Sequence, residues 1–324
     1  MNFQKNFKYN KRFWKNKKIL ITGATGFVGQ NLLNHLNFIK KNINFTIFKP
    51  SSQQLDLTNP LKVNNYFKKK RPDIVIHLAG KVGGIGINRL KQGDFFYHNL
   101  LMGAHVIHYS KVYKIKKIIS LAAGCGYPER AKMPFKEIDF WKGLPDKNSL
   151  GYSMAKKNLI IHSWTYKEQF GLNSVVLLPA NLYGPHDNFD LKTSHVVPAL
   201  IKKFIDGVNK NEKKISIWGN GSASREFLFV DDLVNIIIDG CENVNICGPF
   251  NVGTGKETSI SQLIKSIKKI LNTKIRHVWQ SSMPNGQVRR NYEMKNFKKN
   301  FNFRKFTSLE DGLKQTIKWY IENK

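Results

Sequence analysis

Apolar positions along this chain switch repeatedly between two spacings, a short continuous or alternating run and a stretch that repeats near every 3.6 residues. The first exchange passes from Lys18–Ile21, a β-rich segment, into Phe27–Ile39, whose apolar residues recur with helical spacing. Strands are then expected at Phe45–Phe48, Ile74–Leu78, Lys117–Leu121 and Ser174–Leu178, and helices at Leu61–Lys69, Phe95–Ser110 and Tyr152–Phe170. Such alternation makes each helix a crossover between parallel strands. The expected class is therefore α/β, a Rossmann-type doubly wound parallel sheet over residues 18–180. Past Pro179 the texture changes to Gly, Pro and Asn, with isolated strands (Ile215–Trp218, Glu226–Val230) and shorter helices (Ile260–Leu271, Leu309–Ile321). That pattern predicts a smaller C-terminal α/β lobe over residues 181–324, some of whose segments return to the sheet domain.

Composition narrows the class of protein. With 324 residues, 41% hydrophobic and 12% aromatic, the chain can bury such a core without disulfide staples. Its three cysteines, Cys125, Cys241 and Cys247, show no metal-ligand spacing, and their odd number argues for a reducing compartment. No apolar run reaches the length of a membrane span, and the basic start leads into a strand instead of a signal-peptide core. A cytoplasmic protein with no metal and no membrane partner is expected.

Charge adds one question. The net charge of +31, from 53 basic and 22 acidic residues, attracts polyanions in general. The basic residues are mostly Lys, scattered through every segment, and no nucleic-acid-binding motif accompanies them. Solvated surface is therefore preferred over a nucleic-acid site. Residues 1–17 stand apart as a basic N-terminal extension with Phe3, Phe7, Tyr9, Phe13 and Trp14 interleaved. A disordered arm and a surface-packed extension both fit it.

Chemistry enters where the first strand meets the first helix, at Gly23-Ala24-Thr25-Gly26-Phe27-Val28-Gly29. Glycines at these steps let the backbone approach a pyrophosphate at the helix N-terminus and pack the helix onto the sheet. Residues 18–180 thus read as an NAD(P)-binding domain. An acidic residue after the second strand would bind the ribose 2′-OH and repel a 2′-phosphate. Here Phe48 is followed by Lys49-Pro50-Ser51-Ser52, which favours NADPH, with Lys49, Ser51 and Ser52 as phosphate ligands. Asp56 is assigned to the adenine edge, with capping of the next helix as its alternative. Further on, Tyr152 and Lys156 stand four apart, on one helix face. There the ammonium is expected to lower the phenol from its ordinary value of about 10 and make Tyr152 an acid or base near neutrality.

These motifs, with His77-Leu-Ala-Gly-Lys-Val-Gly-Gly84, Cys125-Gly-Tyr-Pro128, Asn181-Leu-Tyr-Gly-Pro-His-Asp-Asn-Phe189, Ser194-His-Val-Val-Pro-Ala199, Trp218-Gly-Asn-Gly221, Arg225-Glu-Phe227 and Asn251-Val-Gly-Thr-Gly255, form a recognisable set. The chain resembles the extended short-chain dehydrogenase/reductases, and within them the GDP-L-fucose synthase branch, over most of residues 18–322. The resemblance implies a homodimer and an NADPH-dependent 3,5-epimerase/4-reductase of a GDP-linked 4-keto-6-deoxy sugar. A C4 ketone acidifies the protons at C3 and C5; the resemblance makes Cys125 the base, His195 the acid, Tyr152 the proton donor to the reduced C4 oxygen, and Lys156 its partner. A positive cleft is expected to lower the Cys125 thiol. The same resemblance lines the cofactor with Leu78, Ala79, Leu121, Ala122, Ala123, Pro179, Asn181, Leu182 and His195. It gives the nucleotide sugar Lys81, Asn181, Lys203, Trp218, Arg225, Asn285 and Arg290. His186 and Asp187 are expected to shape their loop.

Two positions depart from the pattern. Ala123 stands where the family places a Ser or Thr beside the tyrosine, and Asn285 where it usually has Asp. Loss of one such donor typically costs about 10²–10³ in rate. The readings left open are epimerisation or reduction alone on another keto-sugar, such as a heptose derivative, and a weakened nucleotide-sugar-binding homologue.

Overall fold

The computed structural model describes residues 9–281 and 289–324. Its strands are β1 (Lys18–Thr22), β2 (Thr46–Phe48), β3 (Ile74–His77), β4 (Lys117–Leu121), β5 (Ser174–Pro179), β6 (Asn181–Tyr183), β7 (Lys214–Trp218), β8 (Ser224–Phe229), β9 (Phe250–Val252), β10 (Glu257–Ser259) and β11 (Arg276–Gln280). Six form the main sheet in the order β2-β1-β3-β4-β5-β9, with every pairing parallel. Helices cover both faces, so β1, β3, β4 and β5 are buried almost throughout, which is why they read as continuous apolar runs and not as alternating ones.

The chain leaves β1 toward β2 and then crosses back to β3 on the other side. Strand order reverses there, and a crevice opens beyond the carboxyl ends of β1 and β3. The C-terminal half contributes β9 to the same sheet, registering Asn251 opposite Leu178. Its other strands build two small sheets, β10-β8-β6 and β11-β7, around a second core that includes Ile201, Phe204, Phe227, Leu263, Ile267, Leu313 and Ile317.

The structure differs from the sequence reading in a few elements. Residues 51–58 form turns and no strand, and it is Asn59, not Asp56, whose side chain caps the helix Pro60–Lys70 by accepting from Lys62 N. Val230 opens the helix Val230–Asn243 instead of closing a strand, and Val196–Asn209 is a helix that carries Pro198 in its first turn, where a missing N–H costs nothing. The described part of the N-terminal extension is packed, not free. Asn10 caps a short helix, Lys11–Trp14, whose fully buried Trp14 donates its indole N–H to Glu242. No helix among the described residues is long and apolar enough to cross a membrane.

Candidate active site

Four loops leave the carboxyl ends of four neighbouring strands and converge at the crevice: Gly23–Gly26 after β1, Leu78–Lys81 after β3, Ala122–Cys125 after β4, and Ala180–Asn181 after β5. The first is held as tightly as its glycines imply. Gly23 sits at φ +74°, and a Cβ there would lie 2.6 Å from Ala79 N; a Cβ on Gly29 would lie 2.2 Å from Gly23 O. Gly26 precedes the helix Phe27–Lys40 with no side-chain cap, so the first turn keeps its N–H groups for an anion. Ala24 is buried and Val28 packs against the core, Phe27 is half-buried, and Thr25 stays exposed. This cradle fits a dinucleotide pyrophosphate. Beyond β2, Lys49 and Ser52 are exposed; Ser51 closes a turn, its Oγ accepting from Gln54 N. Asp56 accepts from Thr58 N and Thr58 Oγ1, bonds that hold its carboxyl below the usual range.

The helix Leu150–Phe170 brings Tyr152 and Lys156 to the loop after β4. Lys156 Nζ donates to Leu121 O at 2.8 Å and lies 5.8 Å from the Tyr152 ring centre. Burial brings the Lys156 ammonium down to about 8, although the nearby Cys125 thiol opposes the shift. Across the sheet, His77 shares a 2.8 Å hydrogen bond through Nδ1 with Thr22 Oγ1, and burial together with the Lys156 charge lowers it to about 3. The ring stays neutral. Lys81 is exposed, but its backbone is clamped at both ends: Lys81 N donates to Asn99 Oδ1, and Asn99 Nδ2 donates to Lys81 O, each at 3.0 Å.

Cys125 sits in a single 3₁₀ turn, Gly124–Gly126. Ser153 Oγ donates to Cys125 O at 3.1 Å, tying the turn to the helix that carries Tyr152. Two expectations fail here. Burial pushes the Cys125 thiol up, outweighing the Arg290 guanidinium, a Ser153 hydrogen bond and Lys156, so the positive surroundings do not lower it. Burial also raises the Tyr152 phenol above 10, and the nearby Cys125 adds to the rise, so Lys156 does not bring Tyr152 toward neutrality. Desolvation is the larger effect in both cases. A phenol that keeps its proton is suited to donate one to a forming alkoxide.

His195 occupies the N-cap position of the helix Val196–Asn209; the residue is exposed, and partial desolvation by the chain around it holds its imidazole below the ordinary value. A Cβ on Gly84 would stand 3.4 Å from Ser194 O, so the loop after Lys81 abuts the His195 turn. Asn181 and Leu182 open β6 beside Pro179, the last residue of β5. Arg225 on β8 is lowered to about 10 by burial and by Arg290. Two guanidiniums that close repel each other and favour an anion between them. Lys203 Nζ donates to Ser216 O at 2.9 Å, in the strand that ends at the exposed Trp218, so those two share one edge of the small lobe. Asn285 lies outside the described residues. His186 and Asp187 are held in a turn, His186 at φ +65° with its ring 4.7 Å from Trp319, which suits a loop-shaping role.

Sequence reasoning missed Glu226 and Tyr292. Glu226 is almost wholly buried and accepts from Tyr292 N (2.7 Å), Thr254 N (3.0 Å) and Gly255 N (3.2 Å), seating the Arg290-bearing segment against β8. The Arg225-Glu-Phe227 motif contained this signal; Tyr292 had none.

A glycine cradle at a strand-order reversal, with a Tyr-x-x-x-Lys helix beside it, defines an NAD(P)-dependent enzyme of the extended short-chain dehydrogenase/reductase type. Residues 19–253 match the NAD dependent epimerase/dehydratase family, and the chain belongs to it. It is 33% identical over 311 residues to the probable GDP-L-fucose synthase 1 of Oryza sativa subsp. japonica, covering 95% of this chain and 93% of that one. Its fold is similar to a solved GDP-6-OMe-4-keto-L-xylo-heptose reductase from C. jejuni (TM-score 0.88, 29% identity, 95% and 99% of the two chains). It is also similar to a GDP-L-fucose synthetase from Naegleria fowleri bound to NADP (TM-score 0.86, 26% identity, 95% of each chain).

Proposed function

We propose that this protein is an NADPH-dependent 3,5-epimerase/4-reductase of a GDP-linked 4-keto-6-deoxy sugar. The observation that carries the reading is the Cys125 turn, which Ser153 ties to the Tyr152/Lys156 helix and whose thiol feels the Arg290 charge. NADPH, when bound, supplies a hydride to C4. The Gly23–Gly29 backbone would hold its pyrophosphate, and Lys49, Ser51 and Ser52 would bind its 2′-phosphate. Lys156 orients the nicotinamide ribose. Tyr152 gives its proton to the C4 oxygen as the carbonyl becomes an alcohol. Cys125 takes, and His195 returns, the protons beside the ketone. Arg225, Arg290 and Lys203 neutralise the diphosphate, Trp218 stacks on a ring, and Lys81 and Asn181 contact the sugar. The similarity to enzymes named for GDP-fucose and GDP-heptose chemistry supports a GDP-sugar. Pairing of the long helices Gln92–Val112 and Leu150–Phe170 across a two-fold axis would give the homodimer, and a cytoplasmic location fits the free cysteines.

A second reading, reduction alone on a different keto-sugar, is favoured by one observation: the Cys125 thiol is pushed up, away from the thiolate that epimerisation needs. Incubation of GDP-4-keto-6-deoxymannose with NADPH in deuterated water tests both. Oxidation of NADPH with deuterium at C3 and C5 supports the full reaction, and oxidation without deuterium supports reduction alone. A folded protein that oxidises no NADPH with this sugar or with a GDP-4-keto-heptose refutes both.

A further inference from the structure

The hydroxyl missing at Ala123 has a candidate replacement from elsewhere in the chain. Gly124 follows Ala123, and the space its side chain would fill is already taken: a Cβ on Gly124 would sit 1.6 Å from Tyr292 Oη and 2.8 Å from Tyr292 Cζ. The phenol tip therefore lies directly against the turn that carries Cys125, and no residue but glycine at 124 admits it.

Little freedom is left to that ring. Tyr292 N donates to Glu226, and Phe135 N donates to Asn291 O at 2.7 Å while Glu293 N donates to Phe135 O at 2.9 Å, so backbone bonds bracket Tyr292. The ring is 3% exposed, with its centre 6.0 Å from that of Tyr127 and 6.2 Å from that of Phe135. Arg290, two residues earlier, is the largest charge acting on Cys125, which places the segment and the thiol in one compartment. Burial raises the phenol, so it keeps its proton across the working range.

We propose that Tyr292 supplies the second hydroxyl of the reaction centre in place of a Ser or Thr at 123, and that Gly124 is the opening through which it enters. The proposal rests on the reading of Ala123 as the vacated donor position in a keto-sugar site. It makes Gly124 and Tyr292 a matched pair and explains how a site with alanine at 123 can remain competent.

A double-mutant cycle tests it. Y292F keeps the ring and removes only the oxygen; it should lower kcat for NADPH-dependent reduction by 10- to 100-fold with KM changed less than threefold. A123S should then recover at least tenfold more activity in the Y292F background than in the parent. Equal effects of A123S in both backgrounds, or a Y292F protein with parental kcat, would overturn the proposal. If the parent reduces no GDP-4-keto sugar, the functional reading fails first. The proposal is then judged on iodoacetamide alkylation of Cys125, followed by mass spectrometry across pH. A shifted profile in folded Y292F supports it and an unchanged profile overturns it.

Discussion

Asp187 offers a quantitative check on how burial governs this protein. One carboxylate oxygen accepts from Asn188 N at 2.7 Å, while Oδ2 is buried with no partner among the described residues. Burial raises its pKa from 3.8 to about 7. The unfolded chain releases this proton near pH 4 and the folded chain holds it to about pH 7, so folding takes up a proton in between. Stability from this group is thus fully present below pH 4 and lost as pH rises through about 7. Three units at 1.36 kcal/mol each give about 4 kcal/mol in total, of which about 2.7 kcal/mol falls between pH 5 and pH 7. Asp187→Asn removes the titration while keeping an oxygen for Asn188 N. Asp231 and Asp232, raised to about 7 and about 6, remain in both proteins and drop out of the difference. Urea unfolding at pH 5 and pH 8 should show the parent losing about 2–3 kcal/mol more than the variant. Parallel losses in the two proteins would refute the argument that Asp187 is held protonated by burial.

Three further outcomes follow from the same geometry. Gly29→Ala forces a Cβ to within 2.2 Å of Gly23 O and 2.7 Å of Ala24 Cα, so NADPH affinity by fluorescence titration should fall at least tenfold; unchanged affinity would mean that the loop is not the cofactor cradle. Glu226→Gln replaces an acceptor of three backbone N–H groups by an amide with one acceptor oxygen, and urea unfolding should show a loss of about 2–3 kcal/mol. Lys156, lowered to about 8, loses its charge as pH rises through that value, so kcat/KM should decline above pH 8, and Lys156→Met should reduce kcat at least 100-fold at pH 7.

Much of the sheet domain was legible because each of its parts is specified locally. Ile74–His77 is fully buried on both faces and so is written as an apolar run, Ile74-Val75-Ile76, before its histidine, and Gly23 and Gly29 occupy places that no Cβ can enter. The Tyr152/Lys156 spacing follows from the helix itself. What the sequence does not spell out is contact at long range. Tyr292 meets Gly124 across 168 positions of chain, and no spacing rule connects them. Nor does a motif state its own solvation. Lys156 four residues from Tyr152, and a positive cleft around Cys125, suggest depressed pKa values until the depth of burial is known, and in both cases burial pushes the group up instead. The capping alternative for Asp56 failed for another local reason: Asn59 stands next to Pro60 at the N-cap position and takes the capping role.

That reversal bears on which half of the chemistry the resting site is prepared for. Tyr152 and Cys125 are pushed toward their protonated neutral forms and His195 toward its unprotonated one, all chiefly by desolvation. Reduction needs an acid at C4, and Tyr152 already is one. Epimerisation needs a thiolate, and every proton removed from Cys125 must be drawn off against desolvation, helped by Arg290 and Lys156. The two half-reactions should therefore part company as pH changes. With removal of the carbon-bound proton by the thiolate as the limiting step, deuterium uptake beside the ketone, measured by NMR under single-turnover conditions, should increase about tenfold per pH unit between pH 6 and pH 8, because the thiolate fraction does so below the thiol pKa. Hydride transfer over the same range should fall by no more than about twofold, since the Tyr152 proton is kept and about half of the Lys156 charge remains at pH 8. Deuterium uptake that is independent of pH would show that the base is not a thiol held protonated by burial, and would move the search for it away from Cys125.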